Sequence, residues 1–113
     1  MTRAEVNALC AAHPGAGVSE PFGEGHEVWK VGGKIFAIVG TSTGAVSVKT
    51  DGIETAELLI EAGVATRAPY LHRSWVALPL DADPDELRHR IDASYRLIRA
   101  SLPRRVQAEL PPL

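Results

Sequence analysis

Apolar residues along the chain switch between two spacings, and the switches mark the elements. In Thr2–Ala12, Val6, Leu9 and Cys10 recur at i, i+3 and i+4, the stripe of a short helix. Thr2 with Glu5 three residues on predicts a capping box, and Pro14-Gly15 ends the segment. The pattern then shortens to a period of two. Glu27–Val31 and Lys34–Val39 read as strands around Gly32-Gly33, a pair suited to the positive φ angles of a tight hairpin. After the loop Gly40–Gly44, Ala45–Lys49 places Val46 and Val48 on one face and Ser47 and Lys49 on the other. Three strands with short connections predict an antiparallel meander.

Helical spacing returns over Ile53–Ala62, with Asp51 as the expected cap, Leu58, Leu59 and Ala62 as the inner stripe, and Gly63 as the stop. Thr66–Leu71 reads as irregular or extended around Pro69, and Ser74–Leu78 as a strand ended by Pro79. The last helix is the best punctuated. Asp83 is its cap, Pro84 takes the first position and Glu86 completes a capping box. Leu87, Ile91, Ser94, Tyr95, Ile98 and Leu102 form its buried face, and Pro103 closes it or opens a last short turn. The order helix, three strands, helix, strand, helix predicts one α+β domain over residues 1–113, helices packed on an antiparallel sheet. Trp29, Phe36, Trp75 and Tyr95 all fall inside elements and are expected in the core, the Tyr95 hydroxyl at its rim.

Composition narrows the setting. The chain has 113 residues, 45% apolar and 23% charged, ordinary values for a globular domain. The longest apolar run, Ile35–Val39, is far short of the ~20 residues that span a bilayer. Glu5 sits where a signal peptide would be apolar, so export is not expected. The lone Cys10 can form no internal disulfide and lies on the helical stripe, so a reduced, cytoplasmic setting and a packed thiol are expected. Net charge is −2, which argues against a wholly basic surface. That total hides an asymmetry: residues 1–63 hold 4 Lys/Arg against 8 Asp/Glu, residues 64–113 hold 8 against 6.

Catalytic chemistry finds little footing. His13, His26, His72 and His89 have no metal-ligand spacing, so neither metal nor cofactor is expected. No nucleophile elbow is present, and Ser42 and Ser47 lack an adjacent base. Gly23-Glu24-Gly25 and Gly32-Gly33-Lys34 are turns, since neither stands between a strand and a helix as a phosphate loop does. The polar stripe Arg88, Asp92, Arg96 and Arg99, extended by Arg104 and Arg105, admits two readings. One is a solvated face with an Arg88–Asp92–Arg96 ladder. The other is a phosphate-contacting helix, for which the planar guanidinium is suited, with Lys30, Lys34 and Lys49 adding charge from the hairpins.

The run Pro21–Ala37, PFGEGHEVWKVGGKIFA, resembles the signature of the MmcQ/YjbR family, a PFG-type turn followed by a K-V-G-G-K-x-F-A hairpin. Val48-Lys49, Ala68-Pro69-Tyr70-Leu71, Ser74-Trp75-Val76, Ser94-Tyr95-Arg96-Leu97 and Leu102-Pro103-Arg104-Arg105 continue the resemblance in order. It implies a two-layer α/β sandwich of the CyaY type, shared with bacterial frataxins. It also implies a DNA-binding protein with a double-wing arrangement, and because no nucleophile or acid–base pair can be named, a non-enzymatic role is expected. By position the wings are the Gly32-Gly33 hairpin and the Gly40–Gly44 loop. Frataxin-type iron binding is not expected, because the first helix offers only Glu5. The DNA-contacting set is then Lys30, Lys34, Lys49, Arg96, Arg99, Arg104 and Arg105. The alternative is a protein- or ligand-binding module using a cleft edged by Phe22, His26, Tyr70 and His72.

Overall fold

The hairpin glycines adopt the angles for which their missing Cβ suits them, φ +56° at Gly32 and +85° at Gly33. They join β2 (His26–Val31) to β3 (Lys34–Gly40) in a computed structural model that describes residues 1–23, 25–40 and 44–113. The expected Gly40–Gly44 loop is therefore described only at its ends, and Ser42 and Glu24 lie outside the described residues. β4 (Ala45–Lys49) continues the meander as expected. Two short strands were not marked by any alternation: β1 (Gly17–Ser19) along the β2 edge, and β5 (Thr66–Arg67) beside β6 (Trp75–Pro79). Among the described residues the sheet has six strands in the order β1-β2-β3-β4-β6-β5, every neighbouring pair antiparallel.

Among the described residues four helices accompany it: α1 (Arg3–Ala11), α2 (Ile53–Glu61), α3 (Pro84–Ala100) and α4 (Arg104–Glu109). α1 carries the predicted capping box, with Thr2 and Glu5 each accepting the other's backbone N–H. The same contact holds the Glu5 carboxyl below its usual pKa, because the Thr2 backbone N–H favours the ionised form. Asp83 Oδ1 caps α3 by accepting from the N–H of Asp85 (2.8 Å) and of Glu86 (3.4 Å), while the Glu86 carboxylate pairs with Arg90. α2 departs from expectation. Gly52 is its cap, Asp51 instead accepts from the Thr55 hydroxyl, and the inner face is Ala56 and Leu59, with Leu58 and Ala62 exposed.

Residues directly opposite in register share a face. Trp29, Ala37, Val48 and Val76 line up across four strands, and Val39, Val46 and Leu78 across three. All are buried, and α3 lies over β3 and β4 with Leu87, Ile91, Tyr95 and Ile98 turned inward. The β2–β3 register jumps from Trp29↔Ala37 to Lys30↔Ile35, leaving Phe36 as an extra residue. Its ring meets that of Tyr95 edge-on at 5.3 Å, so the bulge delivers a large side chain to the core.

Ser94 explains why a hydroxyl belongs on the buried face of α3. The β3–β4 ladder stops at Ala37↔Val48, and Ser94 Oγ takes the next rung. It donates to the Phe36 carbonyl (2.6 Å) and accepts from the Lys49 N–H (2.9 Å). Ser94→Ala strands both groups, and is expected to lower unfolding free energy by about 2 kcal/mol in a denaturant titration. A loss under about 0.5 kcal/mol would refute the bridging role.

Cys10 is fully buried in the core, where burial pushes its thiol up to about 12. The sign follows from linkage. The unfolded thiol ionises near 9, so this contribution is intact below pH 9 and is lost as pH rises towards 12. Native protein is expected to resist alkylation at pH 8 and to react once denatured. Rapid labelling of the folded chain would contradict a packed thiol.

Candidate nucleic-acid interface

Strand direction sorts the charged side chains. At one end of the sheet lie the Gly32–Gly33 turn, the last residues of β4 and β5, and the start of β6. Leu102 and Val106 close over this turn, since a Cβ on Gly32 would come within 2.5 Å of Leu102 and 3.0 Å of Val106. That contact brings the α3–α4 corner to the same end, and Lys34 Nζ lies 3.4 Å from Ser101 Oγ. Lys30, Lys34, Arg104 and Arg105 are thus grouped, all of them exposed. Arg67 closes β5 and Arg73 precedes β6 at this end too, but Arg73 pairs with Glu57 of α2 (2.8 Å), and Asp51 and Glu54 at the start of α2 are further acids nearby. At the opposite end, where Gly40, Ala45 and Pro79 meet, stand Asp81, Asp83, Asp85 and Glu86. The Met1 ammonium donates to the Leu80 carbonyl there, which adds Glu5 to the acidic side. The molecule is polarised along its strands.

Lys30 also lines a shallow groove of about 350 Å³ with Gly15, Gly17, Val18, Ser19, Gly32 and Gly33. Gly17 in this groove has open space around its Cβ position and no positive φ. Neither packing nor backbone demands a glycine there; its effect is to leave β1 bare beside Lys30. A larger cavity of about 570 Å³ lies at the acidic end, lined by Gly63, Val64, Pro79, Ala82, Asp83, Asp85 and Glu86, a poor setting for a polyanion.

The expected DNA-contacting set is only partly assembled. Arg99 must be removed from it. Its angular position on α3 matches the polar stripe, but its guanidinium turns to the Tyr95 hydroxyl, which is tied to Pro14 of the α1–β1 connection, and the residue is only 9% exposed. The Tyr95 hydroxyl donates to the Pro14 carbonyl and accepts from Arg99 Nη1 (2.9 Å), so it is buried, not at the rim. Arg96 stays exposed but pairs with Asp92 (2.9 Å), whose other oxygen lies 3.3 Å from His13 Nε2. Arg88 turns to Asp85 (3.1 Å), so the expected three-residue ladder is two separate pairs. Lys49 is half-buried and donates to Ser74 Oγ (2.8 Å).

The two expected wings also part company. Gly32–Gly33 and Gly40 stand at opposite ends of β3, which spans roughly 20 Å, because consecutive turns of a meander alternate ends. The four-residue cleft is divided for a related reason. Phe22 and His26 lie at the acidic end on the β1–β2 side, Tyr70 and His72 at the basic end beyond β6.

Sequence reasoning passed over Arg67, Arg73 and Ser74, which sit in or beside an aperiodic stretch. Ser74 Oγ, holding the Lys49 ammonium, donates to His72 Nδ1 (2.8 Å), and Ser74 N–H points at the same nitrogen (3.1 Å). Ser74 is buried and its hydroxyl is committed on both sides, so the trio braces a loop. Among the described residues no three His, Cys, Asp or Glu side chains converge to hold a metal ion, and no helix is long and apolar enough to cross a membrane.

A six-stranded antiparallel sheet under helices, with its cations gathered at one end, defines an α+β domain whose candidate site is a surface, not an enclosed chamber. The chain belongs to the YjbR family, whose model matches residues 11–97. Among solved structures it is similar to the crystal structure of Deinococcus radiodurans protein DR2400, described as carrying a DUF419 domain. The two superpose with a TM-score of 0.84 at 22% identity, over 96% of this chain and 86% of that one, a likeness of fold. No curated protein matches the sequence.

Proposed function

We propose that the protein binds DNA through its basic end and does so without catalysis. The observation that carries this reading is the convergence of Lys30, Lys34, Arg104 and Arg105 at one end of the sheet, with the α3 N-terminal acids at the other. Such a separation orients the molecule before contact, attracting a polyanion to one end and repelling it from the other. Contacts to phosphate carry no base information, so the reading is of sequence-independent binding. Of the two wings, only the Gly32–Gly33 hairpin enters this surface. The packed, protonated Cys10 suits a reducing, cytoplasmic setting.

Titrating duplex DNA at several salt concentrations tests the proposal, because neutralised phosphates release counterions. Binding at ~50 mM salt that weakens steeply as salt rises is expected. Salt-independent affinity, or none at ~50 mM, would overturn it.

A further inference from the structure

The β5–β6 connection carries a feature that phosphate binding alone leaves unexplained. Its ends are anchored, with Ala68 and Ser74 buried, yet Tyr70 between them is fully exposed. Tyr70 is also the one non-glycine residue with positive φ among the described residues, at +66°. A bulky side chain disfavours that conformation, and glycine or asparagine would fill it with less strain. The loop is nevertheless held firmly. Arg67 Nη1 bridges the carbonyls of Ala68 and His72, both at 3.4 Å, tying the loop across its base. Trp75 N–H donates to the His72 carbonyl (2.9 Å), and the Lys49–Ser74–His72 chain fixes the other side.

We infer that Tyr70 is a stacking platform for the base of an unpaired nucleotide. The inference rests on the nucleic-acid reading above and names the form of nucleic acid this corner takes. A ring presented on a braced loop loses little freedom when a base settles on it. Arg67 makes its hydrogen bonds to uncharged carbonyls, so its positive charge stays uncompensated at the base of the loop, and the Lys49 ammonium is held by the uncharged Ser74 hydroxyl, whereas Arg73 is paired with Glu57 (2.8 Å). With His72 Nδ1 taken by Ser74, the neutral imidazole carries its remaining N–H on Nε2, a donor suited to phosphate oxygen. Charge decides the occupant: exposed Phe22, by contrast, follows Glu20 at the other end of the sheet. A base in a duplex cannot offer its face, so the ring selects unpaired strands.

The test compares a short thymidine oligonucleotide with an abasic one of equal length and charge. Wild-type protein is expected to bind the thymidine strand about tenfold tighter. Tyr70→Gly removes the ring and relieves the backbone, so it should melt no lower than wild type while binding both strands with the same, abasic-like affinity. Tyr70→Phe should keep the difference. Equal, salt-dependent affinity of wild type for the two strands would overturn the stacking site while phosphate binding stands. Retention of the difference by Tyr70→Gly would overturn it as well. Failure to bind either strand or duplex would overturn both readings.

Discussion

Replacing Lys30, Lys34, Arg104 and Arg105 together by alanine is expected to weaken duplex DNA binding and flatten its salt dependence. Each phosphate neutralised contributes about 0.9 to the slope of log affinity against log salt, so losing four contacts lowers the slope by about 3.6. The loss of affinity should be greatest at low salt, where counterion release is most favourable. Folding should survive, since all four side chains are exposed and, among the described residues, only Lys34 of the four makes a side-chain hydrogen bond, the long one to Ser101. Arg88→Ala is the matched control: it removes a cation from α3 at the acidic end, beside Asp85, and should leave binding unchanged. Titrations of the three proteins across a salt series read the effect directly. An unchanged slope in the quadruple variant would place the contacts elsewhere, whatever the absolute affinity.

The largest stability effect from a small change is expected at Tyr95. Tyr95→Phe keeps the ring that packs on Phe36 and on His13 (4.7 Å between centroids) and deletes only the hydroxyl. The Pro14 carbonyl then loses its donor, and the guanidinium of Arg99, a buried residue, loses its acceptor. Unpairing a half-buried carbonyl and a buried charged group should cost about 3 kcal/mol. Arg99→Leu in the Tyr95→Phe background removes the stranded charge and should recover part of the loss, a coupling that a double-mutant cycle measures. Additive effects would mean that the two side chains do not act as a pair.

These two sites mark where legibility ended. Tyr95 reads correctly as core, because its spacing from Leu87, Ile91 and Ile98 is a local property of one helix. Arg99 reads incorrectly for the same reason. Helical periodicity places it beside Arg88 and Arg96, and nothing within α3 tells that Pro14, in the turn after α1, will meet the Tyr95 hydroxyl to which Arg99 is bonded. Asp83, Thr2 and the Gly32-Gly33 pair were legible because caps and tight turns satisfy their own backbone within a few residues. β1 and β5 were not, since strands of three and two exposed residues carry no alternation and exist only by pairing with β2 and β6. Phe36 shows the subtler failure: a bulge resets the period of two, and only the partner strand reveals which residue is extra.

Charge makes the same division. The chain's net −2 and its acid-rich first part follow from composition, and they exclude a uniformly basic surface. Whether the cations meet is a different question, because Lys30 and Arg104 are far apart in the chain. Antiparallel pairing settles it, putting the end of β2 and the start of β3 at one edge, and the packing of Leu102 and Val106 on Gly32 draws α4 to them. Local sequence determined the elements, their caps and their buried faces, since those depend on interactions within a turn or two of chain. Tertiary structure alone decided which charges meet and at which end of the sheet each exposed aromatic lies, because electrostatic fields sum over space and not along the chain.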